Sequence, residues 1–151
     1  MDQIPKEKGN YIVVFTLETE VKFENPRFGA ICLAPGYYLY CGSAHGNKGL
    51  RSRVTRHMSK LGKKFWHIDY IKEYLRPIEV WYQVSLEKNE CHFLQLLHNQ
   101  PDSNLPITGF GSSDCREGCE SHLVFFPFRR NLDQLFLIFE NCFSEIHRAF
   151  V

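Results

Sequence analysis

The sequence predicts a single mixed α/β domain, and three observations point to this fold class. A length of 151 residues with 44% hydrophobic content gives room for one domain with a hydrophobic core and hardly for two. Short apolar runs rich in β-branched and aromatic residues alternate with segments of helical periodicity. No internal repeat or low-complexity segment interrupts this order. The expected architecture is a small β-sheet flanked by helices, with a further helix added at the C-terminus.

The first strands are predicted between residues 11 and 40. Residues 11–17, YIVVFTL, form a nearly continuous apolar run, which is typical of a strand buried on both faces. Asn25-Pro26 and Pro35-Gly36 mark turns on either side of a shorter strand, AICLA. Strand character resumes at residues 37–40 and stops at the Cys41-Gly42 step that follows.

Two helices are predicted next. The first covers residues 49–61, where Arg53 and His57 lie four residues apart and therefore share one face. Its apolar stripe consists of Leu50, Val54, Met58 and Leu61. The second is the amphipathic segment FWHIDYIKEYL, which ends before Pro77.

The rest of the chain supplies a strand, a helix, a strand and a final helix. IEVWYQVSL is typical of a strand, ECHFLQLLHNQ of a helix closed by Pro101, and HLVFFPF of the last strand. Asn131 is the predicted N-cap of the final helix, with Gln134 three residues on. The helical stripe after it consists of Leu135, Phe139, Cys142, Phe143 and Ile146.

These elements divide the chain into three parts. They are a polar tail of residues 1–8, a domain of residues 9–128 and a C-terminal amphipathic helix of residues 129–151 packed on that domain. No stretch approaches the roughly 20 apolar residues needed to cross a bilayer, and the first residues lack the apolar segment of a secretory signal. The six cysteines are scattered through predicted strands and helices, so reduced thiols are expected. We therefore expect a cytoplasmic protein with no membrane partner.

Four side chains that can handle a phosphate are expected to meet at one strand-to-helix junction. Tyr40 ends a strand, and Arg53 and His57 lie on the helix that follows. Tyr11 lies on a predicted neighbouring strand. A nearby cation favours the ionised form of a phenol, which can then take a proton from water. A guanidinium can bind a phosphate through two hydrogen bonds.

A divalent metal ion needs an anionic ligand near this junction. Glu90, at the start of the helix after the third long strand, is the best candidate, and Glu87 is its rival. One carboxylate together with waters and a phosphate oxygen is a normal environment for Mg²⁺. The expected cofactor is therefore Mg²⁺ or Mn²⁺.

Two tripeptides at this junction resemble the signature of the GIY-YIG nucleases: Gly9-Asn10-Tyr11 and Tyr40-Cys41-Gly42. The segments GYYLYCGSA, RVTRH, KKFWHIDY, NECHFLQLL and GFGSSDC…SHLVFF are similar to a small prokaryotic branch of that superfamily. That branch is a domain of unknown function also found attached to endonuclease III-type DNA-repair glycosylases. The resemblance runs from about Gly9 to Phe128, and the C-terminal helix lies outside it.

The resemblance implies a metal-dependent endonuclease that hydrolyses DNA, in repair or processing, with a repair protein as a candidate partner. The catalytic residues it implies are Tyr11, Tyr40, Arg53, His57 and the metal ligand Glu90. Either tyrosine could be the general base, and Tyr40 is favoured because it lies near Ser43 and the basic helix.

DNA is the partner expected for the basic segment. Residues 48–64 contain seven Lys or Arg and no Asp or Glu, although the net charge is only +1. A solvated surface is the plainer interpretation for part of this patch, above all for its lysines. The residues predicted to contact DNA are Ser43, Lys48, Arg51, Arg56, Lys60, Lys63, Lys64 and His67.

The sequence departs from the family pattern in three places, one of which is DCREGCESH, where extra residues stand between the two cysteines. Asn10 and Cys41 stand where isoleucines are usual, which is expected to matter little because those side chains only pack. The two tyrosines are 29 residues apart, so an inserted strand must be accommodated between them.

A second polar cluster is predicted at Asp114, Cys115, Cys119 and His122. The C-x₃-C-x₂-H spacing resembles a zinc motif, but a structural zinc site needs four ligands. Cys91, His92 or His57 could supply the fourth. The preferred interpretation is that the glycine-rich turn only positions Asp114 and His122, with zinc second.

Two other classes of function remain open. The chain could be a non-catalytic DNA-binding module that keeps the nuclease fold. It could also be a zinc-stabilised protein-interaction domain that uses its Phe-rich C-terminal helix. The endonuclease is favoured because both tyrosines, Arg53 and Glu90 are all present.

Overall fold

A computed structural model describes residues 3–60, 62–112, 115 and 117–151. Its strands are β1 (Gly9–Leu17), β2 (Val21–Asn25), β3 (Gly29–Leu33), β4 (Gly36–Ala44), β5 (Arg76–Val84), β6 (Leu123–Phe126) and β7 (Ile146–Phe150). Its helices are α1 (Gly49–Met58), α2 (Glu90–His98) and α3 (Arg130–Cys142). Within these residues, five strands form one antiparallel sheet in the order β6-β4-β1-β5-β7. The predicted mixed α/β fold is confirmed.

Strand β1 lies at the centre of the sheet and is buried on both faces, as its apolar sequence predicts. Tyr11, Val13 and Phe15 belong to the core that packs on α1. Ile12 and Val14 belong to the core that packs on α2 and α3. Successive side chains of a strand point to opposite faces, so one apolar run supports both layers.

A separate β2-β3 hairpin lies between β1 and β4 in the chain. It is the insertion that the long spacing between Tyr11 and Tyr40 predicts. Strand β2 is not predicted from the sequence, because VKFEN is mostly polar, and in the fold this strand is mostly exposed or only partly buried. The side-chain oxygen of Asn25 accepts hydrogen bonds from the backbone N–H groups of Arg27 and Phe28, which closes the turn between the two strands.

The predicted second helix is wrong in type. The segment forms two 3₁₀ turns, His67–Tyr70 and Lys72–Tyr74. The buried Asp69 carboxylate accepts hydrogen bonds from the backbone N–H groups of Phe65 and Trp66 and lies 2.8 Å from Lys72 Nζ. These side-chain bonds compete with regular helical bonds and shorten the helix.

The C-terminal segment is only partly a helix. Helix α3 ends at Cys142, and the residues after Glu145 form the edge strand β7 beside β5. Asn131 lies inside the first turn rather than at the N-cap, and its side-chain oxygen accepts a hydrogen bond from Phe128 N. Arg148 anchors β7, because its guanidinium binds both oxygens of the buried Glu79 carboxylate at 2.8 and 2.9 Å.

Helix α1 is also shorter than predicted, since it ends at Met58, and the stripe residue Leu61 lies outside the described residues. None of the helices among the described residues is long and apolar enough to cross a membrane.

Candidate functional site

One cavity of about 480 Å³ lies where β1, β4, α1 and the start of α2 meet the loop before β6. We call it the tyrosine pocket. The predicted residues that line it are Tyr11, Tyr40, Ser43, Arg53, Glu90, Cys115 and His122. The tertiary structure therefore brings together four of the five predicted catalytic residues. The fifth, His57, lies directly beneath and is buried.

Tyr11 is held between β4 and α1. It pairs with Gly42 across the sheet, and a Cβ atom at residue 42 would lie only 2.5 Å from Tyr11 Cζ. Only glycine therefore lets the phenol ring cross β4 at this point. The hydroxyl group then meets His57 Nε2 at 2.7 Å.

Tyr40 reaches the same histidine from the adjacent strand. Its ring lies edge-on to the His57 ring, with centroids 5.4 Å apart. Gly111, which has φ of 72°, lies against Tyr40 on the other side, where a Cβ atom would be 3.0 Å from Tyr40 Cε1. The described residues offer Tyr40 Oη no hydrogen-bond partner, which distinguishes it from Tyr11.

Burial dominates the electrostatics of the pocket. It raises the pKa of Tyr11 and of Tyr40 above that of a free phenol, and the opposing effect of the Arg53 guanidinium is smaller. The expectation that a nearby cation makes the phenolate the favoured form is thus outweighed. Burial also lowers the pKa of His57 to about 3, although Asp69 acts in the opposite direction. His57 is therefore neutral at ordinary pH.

Arg53 reaches the pocket over the face of Trp66. Its guanidinium lies 4.5 Å from the Trp66 ring centroid, and Arg53 Nη1 donates a hydrogen bond of 3.0 Å to the Ser43 carbonyl oxygen. Arg56 lies over the same indole at 4.6 Å. Such contacts hold a planar cation in place through its attraction to the aromatic ring. Trp66, which lines the cavity, is thus part of the site.

Glu90, and not Glu87, occupies the pocket. Glu90 is the first residue of α2, and its carboxylate accepts a hydrogen bond from Ser43 Oγ. Glu87 is exposed and does not line the cavity. Glu90 is the only carboxylate among the described residues that line the pocket. This arrangement suits the single-carboxylate metal site that the sequence predicts.

Asn10 does more than pack, contrary to the sequence-based expectation. It is fully buried, and its side-chain oxygen accepts a hydrogen bond from Asn89 N at 2.9 Å. The same oxygen lies 2.7 Å from Ser43 Oγ, whose single proton is shared between Asn10 and the Glu90 carboxylate. The Asn10 amide nitrogen donates to the Glu87 carbonyl oxygen at 2.9 Å. These bonds fix the start of α2 relative to β4 and thereby position Glu90. Cys41, in contrast, lies in the apolar core as expected.

A basic groove adjoins the tyrosine pocket. It has a volume of about 330 Å³, shares Arg53 and Trp66 with the pocket, and adds Lys48 and Arg56. We call it the arginine groove. Arg56 also forms a 3.1 Å ion pair with Asp69, which fixes its position.

The other residues predicted to contact DNA lie outside these cavities or have internal partners. Lys60 donates to the Glu73 carbonyl oxygen, and Lys64 lies 3.9 Å from the Glu73 carboxylate. Arg51 Nε donates to the Ile4 carbonyl oxygen. Arg51 lines a separate, more open depression beside α1. His67 Nδ1 accepts a hydrogen bond from Gly111 N, so it holds the loop before β6. Lys63 is exposed.

The predicted cysteine cluster gains its fourth member from α2. The ligand atoms of Cys91, Cys115, Cys119 and His122 all lie within 4.8 Å of one another. Burial lowers the pKa of His122, which keeps the imidazole in the neutral form that coordinates metals. A set of three cysteines and one histidine, of which Cys91 and His122 are buried and the other two partly buried, can bind a metal ion and favours zinc. The cluster therefore favours zinc over the interpretation in which the turn only positions Asp114 and His122.

The alternatives for the fourth ligand do not join this cluster. His92 is exposed, and His57 is engaged with Tyr11. Asp114, which completed the predicted polar cluster, lies outside the described residues.

A comparison with protein-family models matches residues 10–145 to the family described as domain of unknown function DUF123. The chain belongs to this family. The match extends beyond Phe128 and includes all of α3, so the DUF123 domain reaches further than the resemblance predicts. Comparisons with curated proteins and with solved structures found no match.

Several residues of this DUF123 domain's site were not identified as site residues from the sequence. His45 and Lys88 line the pocket on loops, where no periodicity or spacing points to them. Trp66 stands in an amphipathic pattern that also suits a core residue. The one available signal for Asn10 was its polar side chain next to a buried strand, which needs a partner.

Proposed function

We propose that this DUF123 domain is a metal-dependent endonuclease of the GIY-YIG type that hydrolyses DNA phosphodiester bonds. One observation supports the proposal above all others. Tyr11, Tyr40, Arg53 and Glu90 come from four separate elements and line one cavity of about 480 Å³. The two tripeptides also lie antiparallel on adjacent strands, with Tyr11 opposite Gly42, which places both tyrosines at one end of α1.

Arg53 is the proposed phosphate ligand. Its guanidinium is fixed by Trp66 and the Ser43 carbonyl oxygen, and it lines both the tyrosine pocket and the arginine groove. A prepositioned cation stabilises the charge that develops on a phosphoryl group in the transition state. Lys48 and Arg56 extend the positive charge along the groove, where the DNA backbone would lie.

The tyrosines act by hydrogen bonding rather than as phenolates, because burial raises the pKa of both phenols. The Tyr11 hydroxyl is occupied by His57, whereas Tyr40 Oη is available to hold the attacking water. Glu90 would hold Mg²⁺ or Mn²⁺, which lowers the pKa of bound water and polarises the phosphoryl oxygen when present. Ser43 orients the Glu90 carboxylate.

The test is cleavage of labelled single-stranded, duplex and branched DNA with Mg²⁺ or Mn²⁺. Glu90→Gln preserves the size of the side chain but removes its charge, so cleavage should fall at least about 100-fold. Glu87→Gln is the matched control, because this exposed carboxylate is three residues away and outside the pocket. Equal activity of wild type and Glu90→Gln, or equal losses in both variants, would contradict the assignment.

A non-catalytic DNA-binding module is the second candidate. The raised phenol pKa values and the neutral His57 favour it, since none of these three groups is a base poised near neutral pH. Such a module would bind DNA with an affinity that falls steeply with salt. It would cleave none of the substrates with either metal, and Arg53→Ala would weaken binding while Glu90→Gln would not.

A further inference from the structure

We propose that Cys91, Cys115, Cys119 and His122 bind one structural zinc ion that fixes the loop before β6 against helix α2. This site is distinct from the proposed catalytic metal at Glu90. It forms one wall of the tyrosine pocket, because Cys115 and His122 line both the cluster and the cavity.

The distances fit tetrahedral coordination. With zinc–sulfur bonds of about 2.3 Å, tetrahedral ligands lie about 3.8 Å apart. Cys91 Sγ lies 3.1 Å from Cys115 Sγ and 3.6 Å from His122 Nε2, and no pair among the four ligand atoms is more than 4.8 Å apart. Changes of no more than about 1 Å in these ligand-to-ligand distances would complete the geometry.

The donor set identifies the ion and its role. Three thiolates and one imidazole prefer zinc to Mg²⁺ or Ca²⁺, which take oxygen ligands. Four protein ligands leave no open position for water or substrate, so the site is structural.

The loop that would be fixed has little regular structure of its own. Between α2 and β6 the described residues form turns, joined by backbone bonds such as Gly109 N to Glu120 O at 2.6 Å. The same loop carries Gly111, which packs on Tyr40, and His122, whose carbonyl oxygen accepts a bond from Cys41 N. A zinc ion would thus fix the position of Gly111, which packs on Tyr40, relative to helix α2, which carries Glu90.

A disulfide between Cys91 and Cys115 is the competing use of these thiols. The four cysteines nearest the pocket, including Cys41, are free in the structure. A disulfide would also leave Cys119 and His122 converging on the same point without a common partner. The metal accounts for all four side chains, and the disulfide for two.

The first measurement is the zinc content of the purified wild-type protein by mass spectrometry of the metal. One zinc per chain is expected. Cys119→Ser should lose most of that zinc. Cys32→Ser and Cys142→Ser are matched controls, because these exposed cysteines lie outside the cluster, and both variants should keep the zinc. Wild-type protein without stoichiometric zinc, or controls that lose it equally, would overturn the proposal.

A second measurement does not depend on whether a variant folds. Wild-type protein reconstituted with Co²⁺ should show the strong visible absorption of tetrahedral cobalt and a thiolate charge-transfer band. Weak absorption typical of octahedral cobalt, or a mass showing an intramolecular disulfide in protein isolated under reducing conditions, would overturn it. Glu90→Gln should retain one zinc per chain whether or not DNA is cleaved, so this proposal and the nuclease proposal can fail separately.

Discussion

Tyr11 Oη and His57 Nε2 lie 2.7 Å apart although 46 residues separate them in the chain. The contact joins the central strand to α1 in the interior, where both side chains are almost completely buried. The neutral imidazole can accept a hydrogen bond from the phenol O–H or, in its other tautomer, donate one to the phenol oxygen. Burial favours that neutral form, so the site and the stability of the fold depend on one protonation state.

Acid should destabilise the protein through His57. Its pKa is about 3 in the folded state against 6.5 as the reference, so the unfolded chain binds more protons between these values. Stability should therefore fall as pH drops through this window, by up to about 1.4 kcal/mol per pH unit. Urea unfolding of wild type and His57→Gln at pH 7, 6, 5 and 4 measures this fall in the free energy of unfolding. The variant should be less stable at pH 7 but show a shallower pH slope, and parallel slopes would contradict the assignment.

Asp69 adds a second pH dependence of the free energy of unfolding, at lower pH. Although burial acts to raise its pKa, hydrogen bonds from Lys72 and from the backbone of Phe65 and Trp66 lower it to about 2, from 3.8. Its contribution is present above about pH 3.8 and is lost as pH falls toward 2. This loss should persist in His57→Gln, which allows the two residues to be separated.

Gly42→Ala should disturb the pocket directly. The new Cβ atom would collide with the Tyr11 ring, and overpacking of this kind costs about 2 kcal/mol. Gly46→Ala is the control, because Gly46 lines the same cavity but a Cβ atom there meets nothing within 4 Å. Thermal unfolding and DNA cleavage should both be impaired in the first variant and nearly unchanged in the second. Similar behaviour of the two would show that the close approach of Tyr11 is not limiting.

Asn10→Ile should be costly even though isoleucine is usual at this position of the resembling family. It leaves the buried Asn89 N–H and the Glu87 carbonyl oxygen without partners, which costs about 3 kcal/mol. Thr16→Ile, on the same strand, removes only one long hydrogen bond of 3.4 Å and should cost less than about 1 kcal/mol. Urea denaturation of both variants measures the difference, and equal stabilities would mean that Asn10 only packs.

Arg148→Met should destabilise the protein without entering the pocket. Among the described residues, it leaves the fully buried Glu79 carboxylate with only the Trp81 indole as a donor, at a cost of about 3 kcal/mol. Asp133→Asn removes the exposed partner of the same arginine and should cost less than about 1 kcal/mol. Chemical denaturation distinguishes them. A small effect of Arg148→Met would indicate that β7 is held by its backbone pairing with β5 alone.

Short motifs and hydrophobic periodicity were enough to predict the central strand and most of the candidate site residues. The apolar run of β1 predicted a strand buried on both faces, and the tyrosines, Arg53 and Glu90 were selected by residue type and order. Elements whose form depends on distant partners were not predictable. The segment around Asp69 has helical periodicity but is held in 3₁₀ turns, and residues 146–150 continue a helical stripe but pair with β5.

The sequence by itself determined the fold class, the candidate catalytic set and three ligands of the C-x₃-C-x₂-H motif, because these depend on residue type and local spacing. Only the tertiary structure decided that Cys91 is the fourth member of the cluster, that Glu90 rather than Glu87 faces the tyrosines, and that Asn10 connects them. It also decided the direction of the pKa shifts of Tyr11, Tyr40 and His57. Those shifts depend on how much water burial removes from each group, and burial is a property of the packed chain rather than of any local segment.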